Sequence, residues 1–599
     1  MPKIEVNEEL FYSLAGRRWK TREEFESALT CAKAELDEDS DKNLAETERV
    51  LKIELNDTNR PDLWSTAGCA RQLRIYYTGK TPFYPFFSAP GNMKAAKKYI
   101  IAEETVKAVR PFIAGFVAKG KTITDASLRD VIQTQEKLAW NYGRKRRTVS
   151  MGLYRAAGIK WPVCYKAVDP DSVSFIPLQW DTPLTLREIL KQHPKGKEYA
   201  FIQEREPLHP LLLDSAGAVL SYPPIINSAD LGAVQAGDSE LFIEITGTDI
   251  HAVTLSASIV ACDFADQGYE IEPVEVRSAY DTAFGKLYTT PFYFQEPVFC
   301  SLDRIEKYLG EKLDGKECVA ALERMGCGAE RLNALERGAP DGEGAGKGGI
   351  PGILCRLPPY RNDYLHAADV LEDVMIGRGL NTFTPQKPAE FTVGRLSPVT
   401  LLSRKVKAAL TGMGYQEMIY NYLGSGEELA GMMAGVNGGE TGVNTQGNGL
   451  IQIANPMSEK FEFVRDSILP NLMKSEQVSA NAAYPHRIFE TGKVAFKDAK
   501  RNYGTATRQY AAFLYAAPDA NFNTLSAQIQ TLFYYLNREF EVAALDTGDT
   551  RFIHGRAAAV LYKGGRVGVF GEIHPAVLEA FNVEMPCAAC EIDLDYLLH

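Results

Sequence analysis

The chain changes between helix-like and strand-like patterning several times along its length, and this excludes a fold built around one core. Apolar residues in 21–36 recur at helical spacing, whereas 49–55 alternates apolar and charged residues as a half-buried strand does. A hydrophobic core stops growing beyond about 250–300 residues, so 599 residues predict about three to five domains. We expect four α+β or helical domains, with boundaries at 1–88, 89–280, 290–385 and 390–599.

Composition and charge restrict the class of protein. The chain is 45% hydrophobic and 24% charged, which is typical of a folded protein, and it has no apolar run long enough to span a membrane. The first residues lack the apolar segment of a signal peptide, so we expect a cytoplasmic protein. A net charge of −11 argues against a free-standing nucleic-acid-binding protein, although local basic patches or a basic partner could still contact RNA.

The ten cysteines show no disulfide framework and fit a reducing compartment. The CxxC pair Cys587 and Cys590 has no second pair at zinc spacing, so we expect buried structural thiols. The Gly-rich stretch 336–352 superficially resembles a phosphate-binding loop. Lys347 is followed by Gly348 rather than Ser or Thr, and no strand leads into the stretch, so a flexible surface loop is expected.

The stretch PPYRNDYLHAADVLEDVMIGRG brings several carboxylates together. A helix that begins near His366 places three of them on one face at i, i+3 and i+4, and a fourth precedes the helix. These residues are Asp369, Glu372, Asp373 and, before the helix, Asp363. Such carboxylates repel one another unless a metal ion, a basic partner or the helix dipole neutralises them. Oxygen ligands without His or Cys suit Mg²⁺, and the alternative is a solvated acidic first turn.

This stretch, continued to LNTFTPQKP, resembles the β subunit of phenylalanyl-tRNA synthetase of the archaeal and eukaryotic-cytosolic type. Further segments resemble the same family in the same order: ELNDTNRPDLWSTAGCARQLRIYYTG, DSAGAVLSYPPIINSADLG, LFIEITGTD, NPMSEKFEFVRDSILPNLM, HRIFETGKV and GRVGVFGEIHPAVLEAFNVEMPC. The resemblance implies an α+β multidomain fold. It comprises a small N-terminal domain, a mixed α/β editing domain, a small winged-helix-like helical domain carrying the acidic cluster, and a C-terminal antiparallel-sheet domain like that of class II synthetases but without their catalytic motifs.

The resemblance also implies function and partners. The family's α₂β₂ enzyme attaches phenylalanine to tRNA(Phe) with ATP and Mg²⁺. The α subunit activates the amino acid, so we expect no cofactor-binding residues in this chain. The four acidic residues named above match the family's Mg²⁺ ligands.

The C-terminal region lacks the ATP chemistry of class II synthetases. An arginine must neutralise phosphate charge during amino-acid activation. The nearest candidate is Arg465 in FVRDS, where the acid directly follows the arginine, and no Gly-rich segment ending in arginine appears near the C-terminus. His554, Glu572 and His574 are interpreted as structural residues near strand ends.

Proofreading is the second chemistry that the resemblance implies. A pocket for a phenyl ring rejects a hydroxylated isostere only about 100-fold, so a separate site that hydrolyses Tyr-tRNA is a physical remedy. The family's editing motifs match four positions here: Leu212, Ser221, Glu244 and Thr246. By analogy Glu244 accepts the substrate's phenol, Ser221 and Thr246 position water or the ester, and Asn227 is a weaker candidate. The alternatives are a polar outward strand face and a non-catalytic scaffold whose editing site has decayed.

The basic run RKRR at 144–147 precedes the editing motifs. It could bind phosphates of the tRNA acceptor arm, although a short basic run is more often a solvated helix end.

Overall fold

The chain divides into two compact units, Met1–Gln386 and Lys387–His599. The computed structural model describes residues 2–41, 43–45, 48–56, 59–87, 98–332, 350–389, 391–434, 449–545 and 549–599. The stretch GEGAGKGG and most of the Gly-rich segment 435–449 lie outside these residues. Where the chain is described, no helix is long and apolar enough to cross a membrane.

The N-terminal part of the first unit is a three-stranded antiparallel sheet covered by helices. The strand order is β1-β3-β2. Its elements are β1 (Lys3–Asn7), α1 (Glu8–Ala15), α2 (Arg22–Leu29), β2 (Ala34–Glu38), β3 (Val50–Leu55) and α3 (Thr66–Thr78). The predicted alternation of β3 is confirmed, because Leu51, Ile53 and Leu55 are buried. Ser65 caps the start of α3, and Gly79 ends the helix in the left-handed region at φ 64°.

A ten-stranded mixed sheet forms the largest part of the first unit. Its path is β12-β11-β10-β7-β4-β14-β5-β13-β6, with β15 paired to β14. Its strands are β4 (Tyr99–Ala102), β5 (Phe112–Lys119), β6 (Val149–Arg155), β7 (Val163–Val168), β10 (His209–Leu213), β11 (Val219–Tyr222), β12 (Ile226–Asn227), β13 (Glu240–Gly247), β14 (Glu270–Ser278) and β15 (Leu287–Thr290). Around the sheet lie α4 (Asp125–Lys137), the short strands β8 (Ser174–Phe175) and β9 (Leu184–Thr185), α5 (Leu186–Gln192), α6 (Pro194–Tyr199) and α7 (Ile250–Asp266).

Buried arginine pairs join α3 to α7. Arg71 is 1% exposed, and its guanidinium lies 3.1 Å from Asp263 and 2.8 Å from Asp266 of α7. The N-terminal sheet and the large sheet contribute to one continuous hydrophobic core. The large sheet is therefore held against the N-terminal part by both apolar packing and buried charge.

The last part of the first unit combines three helices with a small antiparallel sheet of order β16-β18-β17. Its elements are β16 (Val298–Ser301), α8 (Leu302–Leu309), α9 (Gly315–Arg324), β17 (Gly328–Leu332), β18 (Gly352–Arg356) and α10 (Ala367–Arg378). The predicted helix start at His366 is confirmed, because His366 caps α10.

The second unit is built on a seven-stranded sheet of order β19-β23-β24-β28-β27-β26-β25, antiparallel except for the β19–β23 pair. Its strands are β19 (Gln416–Glu417), β23 (His486–Lys497), β24 (Thr505–Ala516), β25 (Glu541–Ala544), β26 (Phe552–Tyr562), β27 (Gly565–Ile573) and β28 (Cys587–Asp593). The remaining elements are α11 (Pro398–Gly412), α12 (Leu469–Val478), α13 (Phe522–Tyr535), α14 (Pro575–Ala580) and a small sheet of β20 (Leu423–Gly424), β21 (Ile451–Gln452) and β22 (Phe463–Val464).

The α+β multidomain class with a C-terminal antiparallel sheet is confirmed, whereas the four domain boundaries stay a prediction. Cys587 and Cys590 are buried free thiols on β28, as expected. Although the residues after Asp125 are strongly helical, the segment from DASL to MGLY is not one helix, because β6 begins at Val149. A turn with three consecutive residues at positive φ, Arg144 to Arg146, separates α4 from β6.

Candidate functional site

A cavity of about 440 Å³ lies where the ten-stranded sheet curls back on itself. Strands β6 and β12 are the two ends of the sheet path, yet Asn227 Nδ2 on β12 donates a hydrogen bond to Leu153 O on β6 at 3.2 Å. Residues of β6, β11, β12, β13 and α4 line the cavity. Its volume lies within the range of small-ligand sites, about 300–1,000 Å³.

Glu244 is a buried carboxylate in the wall of this cavity. It is 2% exposed, and its Oε2 accepts a hydrogen bond from the Tyr154 hydroxyl at 2.7 Å. Burial raises the pKa of Glu244 to about 7, although the Tyr154 hydroxyl and the Arg110 guanidinium oppose the rise. The group therefore changes charge near neutral pH.

Ser221 is the second hydrogen-bond partner of the Tyr154 hydroxyl. Its Oγ is 2.7 Å from the Tyr154 oxygen, so one phenol connects β11 to β13. Gly152 is the pairing neighbour of Glu244 on β6, and its missing side chain lets the Glu244 carboxylate and the Tyr154 hydroxyl approach its backbone closely. A Cβ at Gly152 would lie 2.3 Å from Glu244 Oε2, so a larger residue there would displace the carboxylate.

The other two predicted editing residues lie behind the cavity wall. Leu212 pairs with Ser221 in the β10–β11 ladder and is fully buried in the apolar core. Thr246 is fully buried, and its Oγ1 lies 3.1 Å from Arg110 Nε and 3.0 Å from Ser150 Oγ. Asn227 lines the cavity with Ser221 and Glu244. The structure thus brings three of the five candidates together.

The basic run 144–147 forms the turn at one rim of the cavity. Arg146 lines the cavity and donates hydrogen bonds to the carbonyls of Pro224 and Ile225 at 3.0 and 2.9 Å. Buried Arg110 fixes the turn, because its Nη1 donates hydrogen bonds to the carbonyls of Arg146 and Arg147 at 3.1 and 3.0 Å. The other three residues of the run, Arg144, Lys145 and Arg147, are exposed. The run is therefore a pinned turn that presents cations beside the cavity.

The acidic cluster on α10 is neutralised by protein groups. Arg361 Nη2 lies 2.6 Å from Asp363 Oδ2, and its Nη1 lies 2.7 Å from Asp373 Oδ2. Burial alone would raise the pKa of Asp363, but the Arg361 guanidinium lowers it to about 2.

The other two carboxylates of the cluster also have partners. Asp369 Oδ2 accepts hydrogen bonds from the backbone N–H groups of Leu365 and His366, both at 2.8 Å, so it caps the helix start. Glu372 Oε2 lies 3.0 Å from Lys33 Nζ.

These four carboxylates do not form the expected magnesium site. Where side chains are described, no three His, Cys, Asp or Glu residues converge in an arrangement that could hold a metal ion. Each predicted ligand is instead committed to an arginine, a lysine or the helix N-terminus. The side chains therefore do not fit the ion, and we assign no metal to this cluster.

The arginine of FVRDS is structural. Arg465 is fully buried, and its two Nη atoms lie 2.7 and 2.8 Å from the two carboxylate oxygens of Glu490. Asn471 Oδ1 accepts a third bond at 3.0 Å. A guanidinium held in this way has no free face for a phosphate group. His574 Nδ1 accepts from the Ala576 N–H at the start of α14, and this agrees with a local structural role.

The sequence was compared with known proteins. Residues 384–594 match the family described as the phenylalanyl tRNA synthetase beta chain CLM domain, and residues 298–380 match the tRNA synthetase B5 domain. A Treponema pallidum protein named phenylalanine–tRNA ligase beta subunit is 43% identical over 633 residues, covering 100% of both chains. The chain belongs to the family of phenylalanine–tRNA ligase β subunits.

Other members of this β-subunit family agree in length and fold. The protein of the same name from Borreliella burgdorferi is 42% identical over 600 residues, again covering 100% of both chains. The structure of an N-terminal fragment of the phenylalanyl-tRNA synthetase beta-subunit from Pyrococcus horikoshii is 34% identical, with a TM-score of 0.55. It covers 63% of this chain and 100% of the fragment. Subunits of this family belong to a ligase and function together with an α subunit.

Sequence reasoning missed two residues of the β subunit's cavity, Gly152 and Tyr154, and Arg110, which holds the turn at its rim. The signal for two of them was present. Had VSMGLY been interpreted as a strand, its period of two would have placed Gly152 and Tyr154 on one face. The role of Arg110 depends on contacts with distant segments and has no local signal.

Proposed function

We propose that the cavity beside Glu244 hydrolyses tyrosine that the ligase has wrongly attached to tRNA(Phe). The observation that carries this proposal is a nearly fully buried carboxylate in the wall of a cavity of about 440 Å³. Buried carboxylates are costly unless a polar partner satisfies them, so a cavity that contains one favours a ligand with a hydrogen-bond donor.

A phenol supplies that donor and a phenyl ring does not. The tyrosyl side chain donates its O–H to Glu244, whereas a phenylalanyl side chain in the same place leaves the carboxylate with an unmade bond. A site built to bond a substrate hydroxyl rejects the analogue without it by about 10⁴–10⁵. Glu244 therefore provides the discrimination that a phenylalanine-shaped synthetic pocket lacks.

Water is the nucleophile of the proposed hydrolysis. It adds to the carbonyl carbon of the ester that joins tyrosine to the terminal ribose. The ester C–O bond then breaks, and the ribose oxygen takes the proton that the water loses. The products are tyrosine and uncharged tRNA. The cavity lining includes no Cys or His side chain, so a covalent intermediate of the Cys–His type is not proposed.

The rest of the ligase function is proposed for the complex. We infer an α₂β₂ assembly in the cytoplasm, in which the α subunit binds ATP and Mg²⁺ and activates phenylalanine. This chain supplies the scaffold, contacts to tRNA(Phe) and the editing site. The commitment of Arg465 to Glu490 supports this division of labour, because its guanidinium is not available to hold ATP.

We further infer that the chain follows the domain plan of the archaeal and eukaryotic-cytosolic type. Support comes from the Pyrococcus horikoshii fragment, which matches along its whole length. The relatives at 42–43% identity are bacterial, from Treponema and Borreliella.

Deacylation of Tyr-tRNA(Phe) by the purified α/β complex tests the proposal. The native complex should release tyrosine, and Glu244→Gln should slow the release at least tenfold without changing the rate of phenylalanine attachment. Glu240→Gln is the matched control, since Glu240 begins the same strand but pairs with Lys98 outside the cavity. A native complex that charges phenylalanine yet leaves Tyr-tRNA intact would favour the alternative, a scaffold with a decayed editing site. Release of tyrosine by the isolated chain would favour a free-standing editing protein.

A further inference from the structure

We propose that Tyr154 is a positioning residue that determines the specificity of the editing site, because its hydroxyl holds Glu244 and Ser221 in one hydrogen-bonded relay. This inference rests on the proposed editing function. Neither the sequence motifs nor the family assignment singles out Tyr154.

The relay has a defined direction. The Tyr154 oxygen lies 2.7 Å from Ser221 Oγ and 2.7 Å from Glu244 Oε2. A phenol has one hydrogen, so when it donates to the carboxylate it must accept from the Ser221 hydroxyl. Three strands, β11, β6 and β13, are therefore connected through one oxygen atom.

Tyr154 is rigidly held. Its side chain is 0% exposed, and its ring stacks on Phe242 with centroids 5.7 Å apart and an interplanar angle of 29°. The Tyr154 hydroxyl occupies the space beside Gly152, since a Cβ at that glycine would lie 2.1 Å from it. The phenol therefore reaches the cavity wall from a fixed position in the core.

Tyr154 occupies Oε2 of Glu244, and the Thr246 hydroxyl is a second hydrogen-bond partner of the carboxylate. With Oε2 bonded to Tyr154, an entering tyrosyl group is directed to Oε1. The substrate phenol and the Tyr154 phenol then share one carboxylate. Ser221 donates its hydrogen to Tyr154, so its oxygen remains an acceptor for water or for a ribose hydroxyl. Charge-assisted bonds of this kind are about twice as strong as neutral ones, so a carboxylate fixed in advance increases selectivity for the phenol.

Charged and titratable groups surround Glu244 on several elements. They are Arg110 before β5, Glu136 on α4, Arg146 in the turn before β6, Tyr154 on β6, Tyr165 on β7 and Lys195 on α6. Of these, Tyr154 is the one bonded to the carboxylate at 2.7 Å. Removing its hydroxyl removes a donor that lowers the pKa of Glu244, so the pKa should rise further.

Tyr154→Phe tests the inference in the α/β complex, with Tyr288→Phe as the matched control. Tyr288 lies in the same core at 4% exposure and donates to the Ile113 carbonyl at 3.1 Å, away from Glu244. We expect Tyr154→Phe to raise KM for Tyr-tRNA about tenfold and to lower selectivity over Phe-tRNA by a similar factor. The acid limb of its pH profile should move to higher pH. Tyr288→Phe should change none of these.

Two further measurements keep the test decisive. In a Glu244→Gln background, Tyr154→Phe should cause no additional loss, because Tyr154 acts through the carboxylate. If Tyr154→Phe lowers the melting temperature more than the control does, the test uses a variant with a fluorinated tyrosine at position 154 instead of Tyr154→Phe. This side chain keeps the bond and donates more strongly, so the acid limb should move to lower pH.

The inference is overturned if Tyr154→Phe keeps the native selectivity and pH profile. It is also overturned if the loss persists undiminished in the Glu244→Gln background, or if the fluorinated side chain leaves the acid limb in place. A native complex that does not hydrolyse Tyr-tRNA contradicts the proposed function itself. If Glu244→Gln loses hydrolysis while Tyr154→Phe keeps the native selectivity and pH profile, only the role of Tyr154 is contradicted.

Discussion

Arg361 Nη1 lies 2.7 Å from Asp373 Oδ2, and neither side chain is more than 2% exposed. The same guanidinium holds Asp363, so one buried cation serves two buried carboxylates. Asp373 on α10 thus draws its neutralising charge from the segment just before the helix, whereas Glu372 draws it from Lys33.

Replacing Arg361 by leucine should strongly destabilise the first unit, because it leaves Asp373 buried without its cation and Asp363 with the more distant Arg60, 3.9 Å away. Breaking a buried pair from one side costs about 3–5 kcal/mol. Thermal or urea unfolding of the purified chain measures the loss. Arg356→Leu is the control, since its pair with Glu330 is half exposed and should cost at most about 1 kcal/mol. Equal stability of the two variants would show that the buried pair contributes nothing specific.

Removing Mg²⁺ should leave the melting temperature of the isolated chain unchanged. Each carboxylate of the α10 cluster already has a protein partner, so the ion has no site there to stabilise. The measurement is a thermal scan in EDTA and in millimolar Mg²⁺. A rise of several degrees in Mg²⁺, abolished by Asp369→Asn, would establish a metal site despite these pairings.

Glu244 should make the large sheet less stable as pH rises. Its pKa is about 7 in the fold against an ordinary 4.5, so the folded chain binds the extra proton between these values. The contribution of Glu244 to the free energy of unfolding is complete below pH 4.5 and is lost as the pH rises through 7. At 1.36 kcal/mol per unit of pKa difference, the loss is about 3 kcal/mol. Relative to the native chain, Glu244→Gln should therefore gain stability between pH 5 and pH 8. Hydrogen exchange of the β13 amides at both pH values measures it, and a difference that does not vary with pH would refute it.

The isolated chain should not bind ATP. Arg465 is fully buried and bonded to Glu490 and Asn471, so no guanidinium at the FVRDS motif is available for phosphates. Isothermal titration with ATP should show no binding at micromolar concentration, while the α/β complex binds. ATP binding that Arg465→Lys abolishes would overturn this division of labour.

Lys145 should contribute to tRNA binding without contributing to chemistry. It is exposed in the turn beside the cavity, where it could contact a backbone phosphate near the tRNA 3′ end. Lys145→Ala should weaken tRNA binding a few-fold and reduce the slope of log K against log salt by about 0.7–0.9. Lys497→Ala, on a strand of the second unit, is the control. An unchanged salt slope would leave the turn without a role in binding phosphate.

The sequence predicted site residues best where the local periodicity of a strand or helix matches the contacts seen in the fold. Alternation on β13 placed Glu244 and Thr246 on one face, and the family motif supplied Ser221 on β11. The helix start at His366 and the spacing of the α10 carboxylates were also predictable, because both follow from helical period.

Features that depend on distant segments could not be predicted in this way. Nothing near Glu372 in the sequence indicates Lys33, and nothing near Thr246 indicates Arg110, because each pair forms only after the sheets have packed. The strand that carries Tyr154 is difficult to predict from local sequence, because the preceding residues are strongly helical. The turn that contains Arg144 to Arg146 breaks that pattern, and Gly143 at its first position is the local signal for it.

The meeting of β6 with β12 has a consequence for how the subunit can change over evolutionary time. Along much of the cavity wall the closing contacts are made by side chains such as Asn227 and Tyr154 rather than by a continuous strand ladder. Point substitutions there can widen, narrow or re-polarise the opening while the ladder pairings elsewhere stay intact. A lineage that faces a different competing amino acid could thus change the specificity of its editing site by a few substitutions, while the pairing of the sheet stays the same.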